Sequence, residues 1–192
     1  MRSDALSVSA PLLARRPRAK REVRDPYDGL RPWSAITHGV GAVLGIVGTV
    51  LLLLRTAEQG GGWVSAAAFL IYGLSMVGLY TASTLYHCLN TGVAGRIALR
   101  KYDHISIYFL IAGSYTPICL LTLPHDGGLP MLAIIWIVAL AGTVMALLWI
   151  DAPRWITAGV YLLMGWLSLF MLPSLLRNMP PLGLFWLVLG GA

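Results

Sequence analysis

The sequence predicts an all-α integral membrane protein, a bundle of helices that crosses a bilayer several times. Three observations carry that expectation. The 192 residues are 57% hydrophobic, with a mean hydropathy of +0.74. Only 11% are charged, against about 25% in a soluble domain, so lipid rather than water is expected to face most of the surface. The apolar residues also gather into long runs, most of them near the roughly 20 residues a helix needs to cross the hydrocarbon core.

Residues 1–33 read as a basic N-terminal tail. Eight of the 14 Lys and Arg residues lie there: Arg2, Arg15, Arg16, Arg18, Lys20, Arg21, Arg24 and Arg31. They are interleaved with Asp4, Glu22, Asp25 and Asp28. A basic arm can bind nucleic acid, but in front of a hydrophobic span it more often fixes topology through the positive-inside rule. A cytoplasmic tail is therefore expected, with no nucleic-acid partner. The Arg15-Arg16 pair stands far from the first apolar run, and no convincing small-residue cleavage site follows that run, so the first span reads as uncleaved.

Residues 34–192 read as one transmembrane unit. Its spans are expected at 34–54 (SAITHGVGAVLGIVGTVLLLL), 63–86, 102–123, 130–150 and 155–176. A sixth starts near Leu182 (LGLFWLVLGGA) and ends at Ala192. Eleven helical residues rise about 16 Å, roughly half the core, so this span is expected to be truncated within the membrane. Carbonyls left in hydrocarbon are costly, and such a chain is expected to be unstable or incomplete. The loops RTAEQGGG, TLPHDGGLP and RNMPP alternate with a linker carrying Arg96, Arg100 and Lys101 and with the turn DAPR. The larger basic share on the linker side predicts a cytoplasmic N-terminus, and Trp33, Trp63 and Trp155 suit an interfacial belt. Cys88 and Cys119 are offset by about 27 Å of helix, too far to bridge, and read as free thiols.

Tyr80, Ser83, Thr84 and His87 recur at intervals of three and four, which places them on one face of the second span. Asp103, Ser106, Leu110 and Ser114 share a face of the third. Two antiparallel neighbours with a short linker should bring His87 and Asp103 to the same depth, with His38 nearby. Ionisable groups in a span are costly, face the bundle interior and mark function. Spacing alone leaves three readings open for His87 and Asp103: a metal or catalytic pair, a structural His–Asp hydrogen bond, or two groups in the wet headgroup zone. His38 reads as a packing or hydrogen-bonding residue, and Cys88 as at most a marginal metal contact. His104 is expected to point away from the Asp103 face, and His125 lies in a Pro/Gly-rich outer loop. Ser114 to Pro117 should shape a kink, because proline removes a backbone donor.

THGVGA (Thr37 to Ala42), STLYH (Ser83 to His87), YDHISIY (Tyr102 to Tyr108) and AGSYTP (Ala112 to Pro117) occur in this order. With them, the stretch from about Trp33 to Ala192 resembles the hemolysin III family, bacterial relatives of the progestin and adipoQ receptors. The resemblance implies a seven-helix membrane bundle with an inside N-terminus, resident in the bacterial inner membrane. It also implies a zinc site near the cytoplasmic face. His87 maps onto the second-span zinc ligand, Asp103 onto the third-span aspartate that holds a water at the metal, and Ser83 onto the same polar cluster. Two further histidine ligands are implied by an H-x3-H motif on a seventh helix. No histidine follows His125 in this sequence, and one sure ligand with a carboxylate does not close a tetrahedral shell.

The function expected from these residues is metal-assisted hydrolysis of a lipid amide or ester, with Asp103 and Ser83 in catalytic roles and His87 and Asp103 at the metal. The partners are membrane lipids and a lipid-like substrate. Two other classes stay open: a receptor-like or structural bundle in which zinc ties helices together, and a cytolytic protein. The oligomeric state has no signature in the sequence.

Overall fold

The computed structural model describes residues 30–149 and 151–191, which form helices and connecting turns with no strand among them. The basic-tail residues 1–29 lie outside the described residues. The helices are α1 (Pro32–Glu58), α2 (Trp63–Cys88), α3 (Val93–Pro117), α4 (Gly128–Leu148), α5 (Arg154–Trp166), α6 (Ser168–Asn178) and α7 (Pro181–Gly191), with a π turn, Ile118–Thr122, extending α3. Among the described residues, five elements are long and apolar enough to cross a membrane: α1, α2, α3 with its π turn, α4, and α5–α6 taken together. The all-helical membrane class expected from composition is the class observed.

Several helix boundaries have a local cause. Pro32 opens α1, where its missing N–H costs nothing. The turn between α1 and α2 passes through Gly60 at a φ of 68°, a left-handed conformation that glycine adopts without a Cβ penalty. Gly127, at 81°, does the same ahead of α4. Pro117 has no N–H for the helical ladder, and the chain widens directly after it, so that the Leu123 N–H reaches Ile118 O at 3.1 Å. The kink expected around Ser114 to Pro117 thus takes the form of a π turn.

Two sequence expectations are corrected. The stretch read as a linker carrying Arg96, Arg100 and Lys101 is helical, because α3 begins at Val93 rather than near residue 102. Ala, Leu, Arg and Lys are strong helix formers, and the basic side chains here find partners around the end of α4. Lys101 Nζ donates to Leu147 O at 2.6 Å and Arg100 Nη1 to Asp151 Oδ1 at 3.3 Å. The fifth apolar segment is bent rather than straight: α5 stops at Trp166 and α6 starts at Ser168. Tyr115 Oη donates to the carbonyls of Met164 and Gly165 at 2.7 and 3.2 Å, satisfying acceptors beside the break.

α3 is the central helix, packed against α2, α4 and α5. Its interior side chains Tyr108, Ala112 and Tyr115, with Cys119 of the π turn, join Ile135 and Ala139 of α4 and Met164, Met171 and Leu175 of α5–α6 in one core. Small residues let the backbones approach, as membrane helices require: a methyl on Gly142 would collide with the Tyr108 ring, and one on Gly113 with Ser75. The outer faces are apolar, with Val43, Leu44, Val47, Leu51, Ile137 and Phe170 exposed. That inversion suits a hydrocarbon surround.

Candidate functional site

α1 and α2 run antiparallel in a fixed register. Gly41 lies under the Tyr80 ring, Gly45 against Val77, and Thr49 against Gly73. The same register brings His38 to Ser83, and His38 Nδ1 meets Ser83 Oγ at 2.7 Å. Ser83 is buried. The His38 ring also packs edge-on against Tyr80, with centroids 5.8 Å apart, and stands 6.0 Å from the ring of His87. His38, Tyr80, Ser83 and His87 therefore form one cluster across α1 and α2. The α2 face was legible from spacing, whereas the His38 contact was legible only as a depth.

The end of α2 that carries His87 is held by several groups. The Arg31 N–H bonds His87 O at 3.1 Å. Arg96, from the first turn of α3, is 2% exposed. Its guanidinium donates to Tyr86 O and, at 3.2 Å, to Leu89 O, and lies 4.4 Å from the Tyr86 ring centre. A planar guanidinium can do both at once, where an ammonium cannot. Arg96 satisfies carbonyls that the helix end leaves open and ties the start of α3 to the end of α2. Sequence reading missed this role by assigning Arg96 to a linker. A basic residue a few positions after a helix end was the available signal.

Asp103 lies on α3. Because Gly113 faces Ser75, the antiparallel register sets Asp103 about level with Leu85, between Ser83 and His87. The Asp103 side chain is 18% exposed, and its Oδ2 lies 4.0 Å from His104 Nδ1. At that distance the two side chains make no hydrogen bond. Ser106 Oγ donates to Asp103 O at 2.7 Å, and Tyr161 Oη of α5 donates to His104 O at 3.0 Å. The Tyr161 ring rests on Tyr108 with centroids 4.6 Å apart. His125 is exposed beyond the far end of α3, away from the cluster. Cys88 is an exposed free thiol and Cys119 a buried one.

The donors suit zinc in kind: His87 and His38 offer imidazoles and Asp103 a carboxylate. In number they fall short of a closed shell. Among the described residues, no group of three or more His, Cys, Asp or Glu side chains could hold a metal ion.

Residues 32–192 match the family described as Haemolysin-III related. The chain belongs to that family. It is 38% identical over 158 residues to the Hemolysin-3 homolog of Bacillus subtilis (strain 168), covering 82% of this chain and 73% of the relative. It is 37% identical over 160 residues to Hemolysin-3 of Bacillus cereus, covering 82% and 71%. The human Monocyte to macrophage differentiation factor is 31% identical over 138 residues, covering 67% of this chain and 54% of that protein. No solved structure matches the chain. The haemolysin-III match opens where α1 opens and takes in every residue of the cluster.

Proposed function

We propose that the cluster on α1 and α2, with Asp103 of α3, is part of an intramembrane zinc site and that this haemolysin-III protein hydrolyses lipid amides or esters. The observation that carries the reading is the cluster of His38, Ser83 and His87 at one end of a bundle whose helix flanks are apolar, with Asp103 of α3 at a similar depth. Polar and ionisable groups placed in this way mark functional sites in membrane proteins.

His87 would be a metal ligand and Asp103 would face the metal. Zinc in such a site supplies Lewis-acid polarisation of a carbonyl and makes water a nucleophile near neutral pH. Asp103 Oδ2 would accept the proton of the attacking water, as a carboxylate general base. Ser83 Oγ, held by His38, would hydrogen-bond the substrate's acyl group. Water adds across the acyl C–N or C–O bond, giving a fatty acid and an amine or alcohol. A substrate with long apolar chains would arrive laterally from the bilayer, along the apolar outer faces. The N-terminus and this end of the bundle would lie in the cytoplasm, with the protein in the bacterial inner membrane.

The test is turnover of a panel of lipid amides and esters by the purified full gene product loaded with zinc. Release of fatty acid that disappears in Asp103→Asn supports the reading, and an intact panel removes it. A second reading has its own observation: the His38–Ser83 bond joins two helices, as a site that only stabilises the bundle, receptor-like and without turnover, would also do. In that case His87→Ala lowers thermal stability and no substrate is ever consumed. The name Hemolysin-3 carried by the relatives suggests cytolysis as a third activity, which liposome leakage abolished by His87→Ala would support.

A further inference from the structure

We propose that the corner where α3, α4 and α5 meet binds the headgroup of an anionic phospholipid through Arg100, Lys101 and Arg154. This binding needs neither a metal nor turnover at the α1–α2 cluster. Among the described residues, the other cations are taken up elsewhere. Arg55 pairs with Glu58 at 3.7 Å, and Arg177 donates to Ser174 Oγ at 3.3 Å. Arg96 is buried against the Tyr86 and Leu89 carbonyls, and Arg31 stands apart, at the start of α1 against the end of α2. At the corner, three cations surround one turn. Arg100 Nη1 reaches Asp151 Oδ1 at 3.3 Å and Lys101 Nζ reaches Leu147 O at 2.6 Å, so both side chains lean from α3 over the end of α4. Arg154, three residues after Asp151, opens α5 and is exposed.

The charge at this turn is not balanced. Arg100, Lys101 and Arg154 face a single carboxylate, Asp151, whose side chain is 84% exposed. A carbonyl neutralises nothing, so Lys101 keeps its full charge. Neither contact exhausts its donor, because a guanidinium carries five N–H groups and an ammonium three. The depth also suits a headgroup. Trp149 and Trp155 flank the turn and are both exposed, and tryptophan gathers at the level of lipid headgroups. Below the corner, Ile137, Leu140, Val144 and Leu147 of α4 are exposed at intervals of three and four, an apolar stripe along which acyl chains can lie. Basic pockets between membrane helices take anionic headgroups in this manner. Phosphatidylcholine carries the same phosphate, but its own ammonium cancels the charge, so the cluster selects a lipid with a net negative headgroup. Bound there, the lipid ties α3 to the start of α5, in whichever leaflet this end lies.

Phospholipid binding by the full gene product in detergent, measured by native mass spectrometry with phosphatidylglycerol and with phosphatidylcholine, tests the assignment. The wild type should retain phosphatidylglycerol more tightly. A cation near the membrane surface is worth roughly fivefold in affinity. Arg154→Gln should therefore weaken phosphatidylglycerol binding about fivefold and leave phosphatidylcholine binding as it was. Asp151→Asn, which removes the carboxylate at the turn, should strengthen phosphatidylglycerol binding. Arg55→Gln with Arg177→Gln, at the other end of the bundle, should change neither. The triple variant Arg100→Gln, Lys101→Gln and Arg154→Gln should abolish the preference. Should that protein not fold, Arg154→Gln and Asp151→Asn still carry the comparison, because both alter exposed side chains and are expected to move binding in opposite directions. Inorganic phosphate at millimolar concentration should leave the lipid in place, and its displacement would mean that the corner takes a soluble anion instead. Equal retention of the two lipids by the wild type would also overturn the assignment, as would a preference unchanged in Arg154→Gln and Asp151→Asn.

Discussion

A side chain that is absent decides how closely α1 meets α2. A Cβ on Gly41 would stand 2.9 Å from two atoms of the Tyr80 ring, whereas a Cβ on Gly48 would meet nothing within 4 Å. Overpacking a tight contact costs about 1–3 kcal/mol, while alanine in an open helical position recovers up to about 1 kcal/mol over glycine. Gly41→Ala should therefore lower the unfolding temperature in detergent and Gly48→Ala should hold or raise it. A Gly41→Ala protein as stable as Gly48→Ala would contradict the register that brings His38 to Ser83. Spacing within one helix placed Ser83 and His87 on a shared face, because three- and four-residue intervals need no tertiary information. The His38–Ser83 bond joins residues 45 apart in sequence and depends on how two helices slide against each other, which a single sequence does not encode locally. Arg96 was hidden for a different reason: its role is set by carbonyls at the end of another helix.

At the scale of elements, hydropathy found the apolar runs and missed what continues past them. The first turns of α3 carry Arg96, Arg100 and Lys101, and a rule that counts apolar residues reads them as loop. The break between α5 and α6 escaped for the opposite reason, since its residues are as apolar as their neighbours and no charge marks the bend. Tyr115 donates to the Met164 and Gly165 carbonyls at this break, and Ser168 Oγ also donates to Gly165 O, at 2.7 Å. Tyr115→Phe keeps the ring and removes the donor. It should cost about 0.5–1.5 kcal/mol and speed amide hydrogen exchange around residues 164–170. Unchanged stability and exchange in that variant would mean that the bend does not depend on the Tyr115 hydroxyl.

For the whole molecule, charge and chemistry gather at the same end. Arg31, Arg96, Arg100, Lys101 and Arg154 lie at the end that holds His38 and His87, against Arg55 and Arg177 at the other. The positive-inside rule then favours that end in the cytoplasm. The two cysteines report on it directly, because Cys88 is exposed at the end of α2 and Cys119 is buried in the core. A membrane-impermeant maleimide should label Cys88 in inside-out vesicles and not in intact spheroplasts, with Cys119 unlabelled in both. Labelling from the outer side would reverse the orientation and move the candidate site to the opposite face. The class of the fold was legible from composition because a bilayer imposes it on the entire surface. The site was legible in its α2 and α3 residues and illegible in its assembly.

The central claim is that this assembly holds a metal, and the zinc content of the full gene product, purified in detergent and measured by elemental analysis beside His87→Ala, tests it most directly. The account predicts one zinc per chain in the wild type and loss of that zinc in His87→Ala with the protein still folded. A wild type without zinc, or a His87→Ala protein that keeps it, would contradict the account and leave His87, Ser83 and His38 as a structural polar seam between helices.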